Sequence, residues 1–511
     1  MDPEAHKGFR KYAGDAISTL SWDAGAGTHI PFRASTGHKH HTWAKTHFSS
    51  PELFLRPQSE KEIRLIVNLA RQCGKRIVVV GSGHSPNDLT CTSSWMVNLD
   101  GFSSVVFENC RELQLEVEAG IRLYQLADEL EKRGWAMPNL GSITAQSIAG
   151  AIATNTHGSS LMHGTLSQAV VGLTIMLSSG ESLRCSATEN EDLYHAALVS
   201  LGGLGIITHI VFQAVPAFNL AWKQEVVKTP RILDDWKADL WTKSEFIRVW
   251  WFPYSGRSIV WSADRTEEPL CERPHSWYGG GLGRFSYEFA LYFSTWLPWL
   301  TPIVERYVFS MQYRWEEGPT GSAVQKSQEA LTMDCLFPQF VNEWAIPLEN
   351  GPEAIQRLQT WLDGDKGNKS GIPFSPKGVY AHAPIEVRVA DTTLQSEKPW
   401  LDQSCQTGPT LYLNATLYRP FLKNPPEWER YYNAFEWLMK DLDGRPHWAK
   451  NFVSTSKEEF WGMYPKMKDW VELRDAVDPH GMFANDWLKK NLLKEEDDTE
   501  ITRIKEPIKE T

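Results

Sequence analysis

With 511 residues, 42% of them hydrophobic and 23% charged, the chain has the make-up of a globular protein with more than one core. Fifty-two lysines and arginines face sixty-three aspartates and glutamates, a net charge of −11 with no basic stripe, which excludes nucleic acid as a partner class. Seven cysteines, dispersed without a CxxC pair, argue against a disulfide framework and against a structural zinc site, and no metal is expected.

The opening "MDPEAHKGFRKYAGDA" lacks the apolar core of a secretory signal, so an intracellular location is expected. The first confident element is "SEKEIRLIVNLARQCG". Ser59 and Glu62 stand at capping-box spacing, Ile63, Ile66, Val67 and Ala70 share a face, and Gly74 stops the helix. It leads into a strand over Ile77–Val80. Further strands are expected over 104–107, 112–118, 170–177 and 206–215, with helices over 123–133 and 189–199. Such a mixture predicts an α+β domain over roughly the first 215 residues.

Beyond about Ala217, aromatic-rich alternating runs such as "EFIRVWWFPYS" and "TLYLNATLYRP" predict the strands of a second sheet. Phe289 to Val304 is sixteen residues without a charge, short for a span and interrupted by Pro298 and Pro302. It reads as a buried or partner-binding segment, with a shallow membrane contact as the second reading. "WERYYNAFEWLMKDL" predicts a helix, "GRPHWAKNF" follows it, and the charged last twenty residues are expected to fray.

"RIVVVGSGHSPNDLT", Arg76 to Thr90, is a strand that breaks at Gly-x-Gly. A Rossmann loop needs a third glycine opening a helix, and Pro86 stands in that position. What remains is a turn whose backbone N–H groups can face an anion or a flat ring edge, with His84 inside it. "NLGSITAQSIAGAIATNTHGSS", Asn139 to Ser160, is rich in Gly, Ala, Ser and Thr, so a backbone can approach a diphosphate closely. "SLGGLGIITHIVFQAVP" offers the same freedom before a strand.

Taken in this order, the three stretches resemble the FAD-binding domain of the vanillyl-alcohol-oxidase (PCMH-type) flavoproteins. "VEAGIRL", "IEVRVA" and "GRPHWAK" extend the resemblance to the sugar-lactone (aldonolactone) oxidase branch, which includes L-gulonolactone oxidase and the fungal D-arabinono-1,4-lactone oxidase. The likeness runs from about His47 to Trp487. It implies two α+β domains, a PCMH-type FAD-binding domain and a substrate (cap) domain built on a mainly antiparallel sheet flanked by helices. The expected boundaries are 1–216 for the FAD domain (core about 47–216), 217–430 for the cap, 431–490 for a segment returning to the FAD domain, and 491–511 for a disordered charged tail.

The resemblance also implies roles. His84 is the residue expected to bond covalently to the flavin. The other cofactor contacts expected are Gly81, Ser82, Gly83, Ser85, Gly141, Ser142, Ser147, Gly150, Ala151, Thr154, His157, Gly158, Gly205 and Ile207. Glu386 and Arg388 alternate onto one face of a strand; with Lys450 they are the expected catalytic groups, and His447 the more structural neighbour. The implied reaction is oxidation of L-gulono-, L-galactono- or D-arabinono-1,4-lactone at the C2 hydroxyl, giving ascorbate or an analogue, with O2 reduced to H2O2. Ala119, just before Gly120, is neither the permissive glycine nor a bulky blocker of oxygen. A dehydrogenase using cytochrome c or a quinone, a broader alditol or sugar oxidase, and a flavin-binding protein without turnover therefore stay open. Relatives are microsomal or mitochondrial, and 289–304 is the candidate peripheral membrane contact.

Overall fold

The computed structural model describes residues 21–23, 25–274, 280–394 and 398–493. The first half holds two main sheets and three two-stranded ribbons. In the smaller main sheet, β1 (Ala34–Ser35) pairs antiparallel with β2 (Leu53–Leu55). The capped helix α1 (Glu60–Gln72) crosses over to β3 (Ile77–Val80), and β4 (Trp95–Asn98) lies parallel between β2 and β3. Ser59 Oγ accepts from the Glu62 N–H at 3.3 Å, which starts α1 where the sequence places it.

Next come β5 (Val105–Asn109), β6 (Gln114–Glu118), α2 (Leu123–Glu131), the short α3 (Ile148–Ala153), β7 (Val170–Met176), β8 (Ser182–Ser186) and β9 (Ile206–Gln213). These five strands form an antiparallel sheet in the order β8-β7-β9-β6-β5. Most of these elements end within two residues of their expected limits, and β5 runs two residues past its expected end.

The second half is one eight-stranded antiparallel sheet. Its strands are β10 (Asn219–Lys228), β11 (Phe246–Phe252) and β12 (Arg257–Thr266), followed by helices α4 (Gly281–Ser294) and α5 (Thr301–Tyr313). Then come β13 (Gly318–Lys326), β14 (Gln339–Pro347), α6 (Gly351–Leu362), β15 (Ile385–Ala390), β16 (Thr410–Tyr418), α7 (Trp428–Asp441) and β17 (Arg445–Pro446). The strand order is β13-β10-β12-β11-β15-β16-β14-β17.

Period-two alternation gives this sheet two unlike faces. Val249, Trp251, Val387, Val389, Leu411 and Leu413 bury one face beneath Leu358 and Trp361 of α6 and Phe435 and Leu438 of α7. The other face carries Glu343, Glu386, Arg388, Tyr412 and Asn414 toward the first half. The segment 157–160 meets it there: Ser160 N–H donates to Val389 O (2.9 Å) and Ile247 N–H to Ser159 O (3.2 Å).

The chain finally returns to the first half through α8 (Met467–Val477) and α9 (Asp486–Asn491). Trp470, Phe483, Trp487 and Leu488 join the same apolar core as α1, α2 and β9. Ile77 N–H donates to Met482 O at 2.8 Å, so the return extends the edge of β3.

Two expectations need correction. The segment 289–304 is not buried: it spans the end of α4, a turn at Pro298–Leu300 and the start of α5. Tyr287, Leu291 and Val308 face inward onto Phe337, and Phe309 onto Phe252 and Ile259, while Trp296 and Trp299 are 63% and 58% exposed. The inward ridge exhausts the available packing surface, so the outward ridge meets solvent. Leu492 and Leu493, expected in the disordered tail from 491, are instead buried in the first core. Residues 494–511 lie outside the described residues, as does part of the segment "YGGGLGR".

Candidate active site

The strand β3 delivers the chain into the turn Gly81–Ser85, and this turn lines a cleft between the two main sheets of the first half. The opposite wall is the N-terminal region of α3. Gly81 faces Ser147 so closely that a Cβ would lie 2.2 Å from Ser147 Oγ, so only glycine lets the two walls approach. Gly83 has φ +66°, the left-handed turn that swings His84 into the cleft. Ser82, His84, Ser85, Ser147, Gly150, Thr154, Gly205 and Ile207 line it too. Ala119, Gln146, Ala153, Ser200 and Asn485 line it as well.

His84 is largely buried, and its Nδ1 has no hydrogen-bond partner. Burial, and then the positive charges of Arg122 and Lys450, draw its pKa down to about 4. The imidazole is therefore neutral at pH 7, with a lone pair on one ring nitrogen. Trp43 stacks on it at 5.8 Å between ring centroids, and Trp43 N–H donates to Gly83 O at 2.7 Å. An unpartnered nucleophilic nitrogen, a cradle of small residues and backbone N–H groups fit a flavin dinucleotide.

The other expected cofactor residues lie elsewhere. Ala151 sits in the core of α3. Gly158 packs on Asn139, whose Oδ1 would be 1.9 Å from an added Cβ. Gly141 abuts Thr156, and Ser142 Oγ accepts from Arg248 at 3.4 Å. His157 is buried beside the second sheet, stacked on Tyr412 with ring centroids 3.5 Å apart.

That second sheet bears a row of charge across four strands. Strand pairing aligns Trp250, Glu386, Asn414 and Glu343, with Arg388 opposite Tyr412 in the neighbouring row. Arg388 donates to Glu343 at 2.5 Å and lies 3.4 Å from Glu386. Lys450 Nζ is 3.2 Å from the other Glu343 oxygen, and His157 Nε2 is 3.2 Å from the first. His157 Nδ1 lies 2.9 Å from Gly158 O, so the ring is held between two acceptors.

Burial would raise the Glu343 pKa, but Arg388, Lys450 and His157 outweigh it and hold the carboxyl well below the usual range. Burial would lower Arg388, and Glu343 and Glu386 reverse that shift upward. Burial draws Arg248, wholly enclosed next to this row, down to about 10. His447 is pushed well below its ordinary value by burial. His157, Glu343 and His447 bring possible metal-ligating atoms within 4.8 Å of one another, but Arg388 and Lys450 already neutralise the only carboxylate among them.

Two hydrogen bonds bolt the His84 turn to the lysine loop. Asn87 Nδ2 donates to Trp448 O at 2.7 Å, and Asn451 Nδ2 to Pro86 O at 2.9 Å. On its other side the loop hangs from β14, with His447 N–H on Glu343 O and Asn451 N–H on Val341 O. Lys450 thus stands between the cleft and the charged row. Glu343, Arg248 and Tyr412 were not singled out by the sequence reading, because pairing across strands is invisible in a linear pattern.

Residues 210–491 match the D-arabinono-1,4-lactone oxidase family, and residues 51–186 match the FAD binding domain family. The chain belongs to the D-arabinono-1,4-lactone oxidase family. A Neurospora crassa protein, provisionally named as that enzyme, is 48% identical across 91% of this chain and 87% of its own length. The D-arabinono-1,4-lactone oxidase of Yarrowia lipolytica is 42% identical, covering 89% and 98%. The structure superposes on cholesterol oxidase of Brevibacterium sterolicum with a TM-score of 0.74, over 90% of this chain and 98% of that one. At 15% identity that likeness speaks for the fold, which is the PCMH-type FAD oxidase fold. FAD is the cofactor of this family member.

Proposed function

We propose that this family member oxidises an aldono-1,4-lactone at the hydroxyl beside the lactone carbonyl, with O2 as the final electron acceptor. The observation that carries the reading is the pair of hydrogen bonds joining the His84 turn to the Lys450 loop, because they join a cofactor cleft to a buried charged row. The names of the Yarrowia and Saccharomyces cerevisiae relatives, D-arabinono-1,4-lactone oxidase, support the substrate class. Residues 1–216 hold FAD, 217–430 cap the substrate and 431–490 return to close the cofactor site.

The flavin, when bound, supplies the hydride acceptor. His84 attaches it covalently, using the lone pair that its low pKa keeps free at neutral pH. The turn Gly81–Ser85, with Ser147, Gly150, Thr154, Gly205 and Ile207, forms the cradle. Glu386 binds the lactone hydroxyls and accepts the hydroxyl proton. Arg388 and Lys450 hold positive charge where reduction deposits negative charge, a fixed arrangement that needs no reorganisation during the reaction. The substrate loses two hydrogens, O2 gains two as H2O2, and the 2-keto-lactone enolises to an ascorbate-type enediol. Denatured holoenzyme should stay yellow, and L-gulono-, L-galactono- or D-arabinono-1,4-lactone should drive O2 uptake with peroxide. Reduction without peroxide would point to a dehydrogenase, and preference for an alditol to a broader oxidase.

The ridge on α4 and α5 supports a second contact. Phe285, Phe289 and Phe293 recur every fourth residue, Trp296 and Trp299 mark the turn, and Ile303 and Tyr307 continue on α5; all are exposed. Phe421 extends the patch, and Lys423 and Arg284 flank it. Among the described residues no helix is long and apolar enough to cross a membrane. The ridge docks peripherally on the headgroup layer of an intracellular membrane. Phosphatidylcholine–phosphatidylserine vesicles should float the full chain, and the pair W296E and W299E should release it with lactone oxidation in solution unchanged; equal flotation of both would remove the contact.

A further inference from the structure

The reaction outlined above uses Glu386, Arg388 and Lys450, yet the most enclosed ionisable group of the site is a fourth. The Glu343 side chain has no solvent exposure, Arg388 has 7%, and Glu386 and Lys450 have 16% and 21%. The open pair can meet a substrate; Glu343 cannot. Its strand position puts it in the same row as Glu386, one strand beyond Asn414.

A buried carboxylate is costly unless its charge is met by donors, and truncating a partner leaves the others unpaired. Here the donors come from three separate parts of the chain. Arg388 arrives on β15, Lys450 on the loop hung from β14, and His157 on the segment from the cofactor half. The same residue's backbone carbonyl accepts the His447 N–H that starts that loop. Its Oε2 faces Lys450 as a charge contact at 3.2 Å and makes no directed hydrogen bond. Two long cationic side chains, one of them partly open to solvent, would otherwise repel each other and turn outward.

We infer that Glu343 is a positioning residue of the redox site: its buried carboxylate gathers Arg388, Lys450 and His157 from the two halves of the molecule and fixes the two cations beside the substrate. It touches neither substrate nor cofactor in this role. The surrounding charged and titratable groups are Arg388 and Glu386 on β15, Tyr412 on β16, Lys450 and His447 on the loop, and His157 from the first half. The inference rests on the proposed lactone oxidation for its rate readout, but not for its second readout.

The test uses the FAD-loaded full chain and the variants E343Q and E343D. In rapid-reaction reduction by lactone, E343Q should lose at least tenfold in the limiting reduction rate with the lactone dissociation constant changed by less than twofold. E343D, which keeps the charge on a shorter stem, should recover part of the loss. The flavin midpoint potential of E343Q should rise, because a negative charge leaves while Arg388 and Lys450 remain. A rise in potential with a fall in rate is the mark of lost positioning. A merely structural residue would lower FAD content and melting temperature and leave the rate per bound flavin and the potential unchanged, and that result overturns the inference. If no lactone reduces the unaltered protein, the proposed substrate fails, and the potential shift alone still decides the role of Glu343.

Discussion

The two walls of the active site are built by opposite means. The cofactor cleft is made from one short turn and one small-residue segment, with close backbone approach doing most of the shaping. The charged row is made from long side chains drawn from β14, β15, the 447–451 loop and the segment around His157. A cleft of the first kind tolerates few added atoms but depends on no single charge. A row of the second kind tolerates shape changes yet is sensitive to any unpaired ion.

Substitutions can break that contrast or sharpen it. The largest effect belongs to the row: K450A or R388A should lower lactone-driven flavin reduction by about 100- to 1,000-fold, the size seen when one charge-stabilising group is lost. FAD should remain attached in both, which absorbance of the denatured protein checks. Unchanged reduction would make the row scaffold. Next is H84A, which should abolish covalent flavin entirely while turnover persists on added FAD; a yellow denatured variant would remove His84 from the linkage.

G81A should cost less, about 1–3 kcal/mol of overpacking, because the new methyl group meets Ser147 Oγ. Its readout is lower FAD occupancy with an unaltered reduction rate in the loaded fraction. The smallest effect is in pH. The His84 pKa is depressed to about 4, below the ordinary 6.5, so the neutral form persists until the pH falls toward 4. Attachment of FAD to apoprotein should be flat from about pH 8 down to about pH 5.5. A midpoint near the ordinary histidine value would show that His84 is not shielded.

The same contrast governs how much was legible in the sequence. Gly81, Gly83 and the run around Gly150 announce themselves, because glycine and small residues cluster only where a backbone must come close. Glu386 and Arg388 were visible as an alternating pair within one strand. Glu343 and Arg248 were not: each is one charged residue in an apolar strand, and only the register with β15 and β16 reveals its neighbours. The segment 289–304 shows the converse. Its composition suggested burial, but apolar composition does not say whether the fold has a surface left to cover it.

The return of the chain bears on the order of events at the ribosome. Asn485 Nδ2 donates to Leu89 O at 3.0 Å across a separation of 396 residues, and Arg76 pairs with Asp486 at 2.7 Å. Asn485 also lines the cofactor cleft. At about 5–20 residues per second, the growing chain exposes the unfinished edge of β3 for roughly 20–80 s before the closing segment exists. The cleft walls are therefore synthesised long before they are completed, and loading of FAD is tied to the arrival of the closing segment around Asn485.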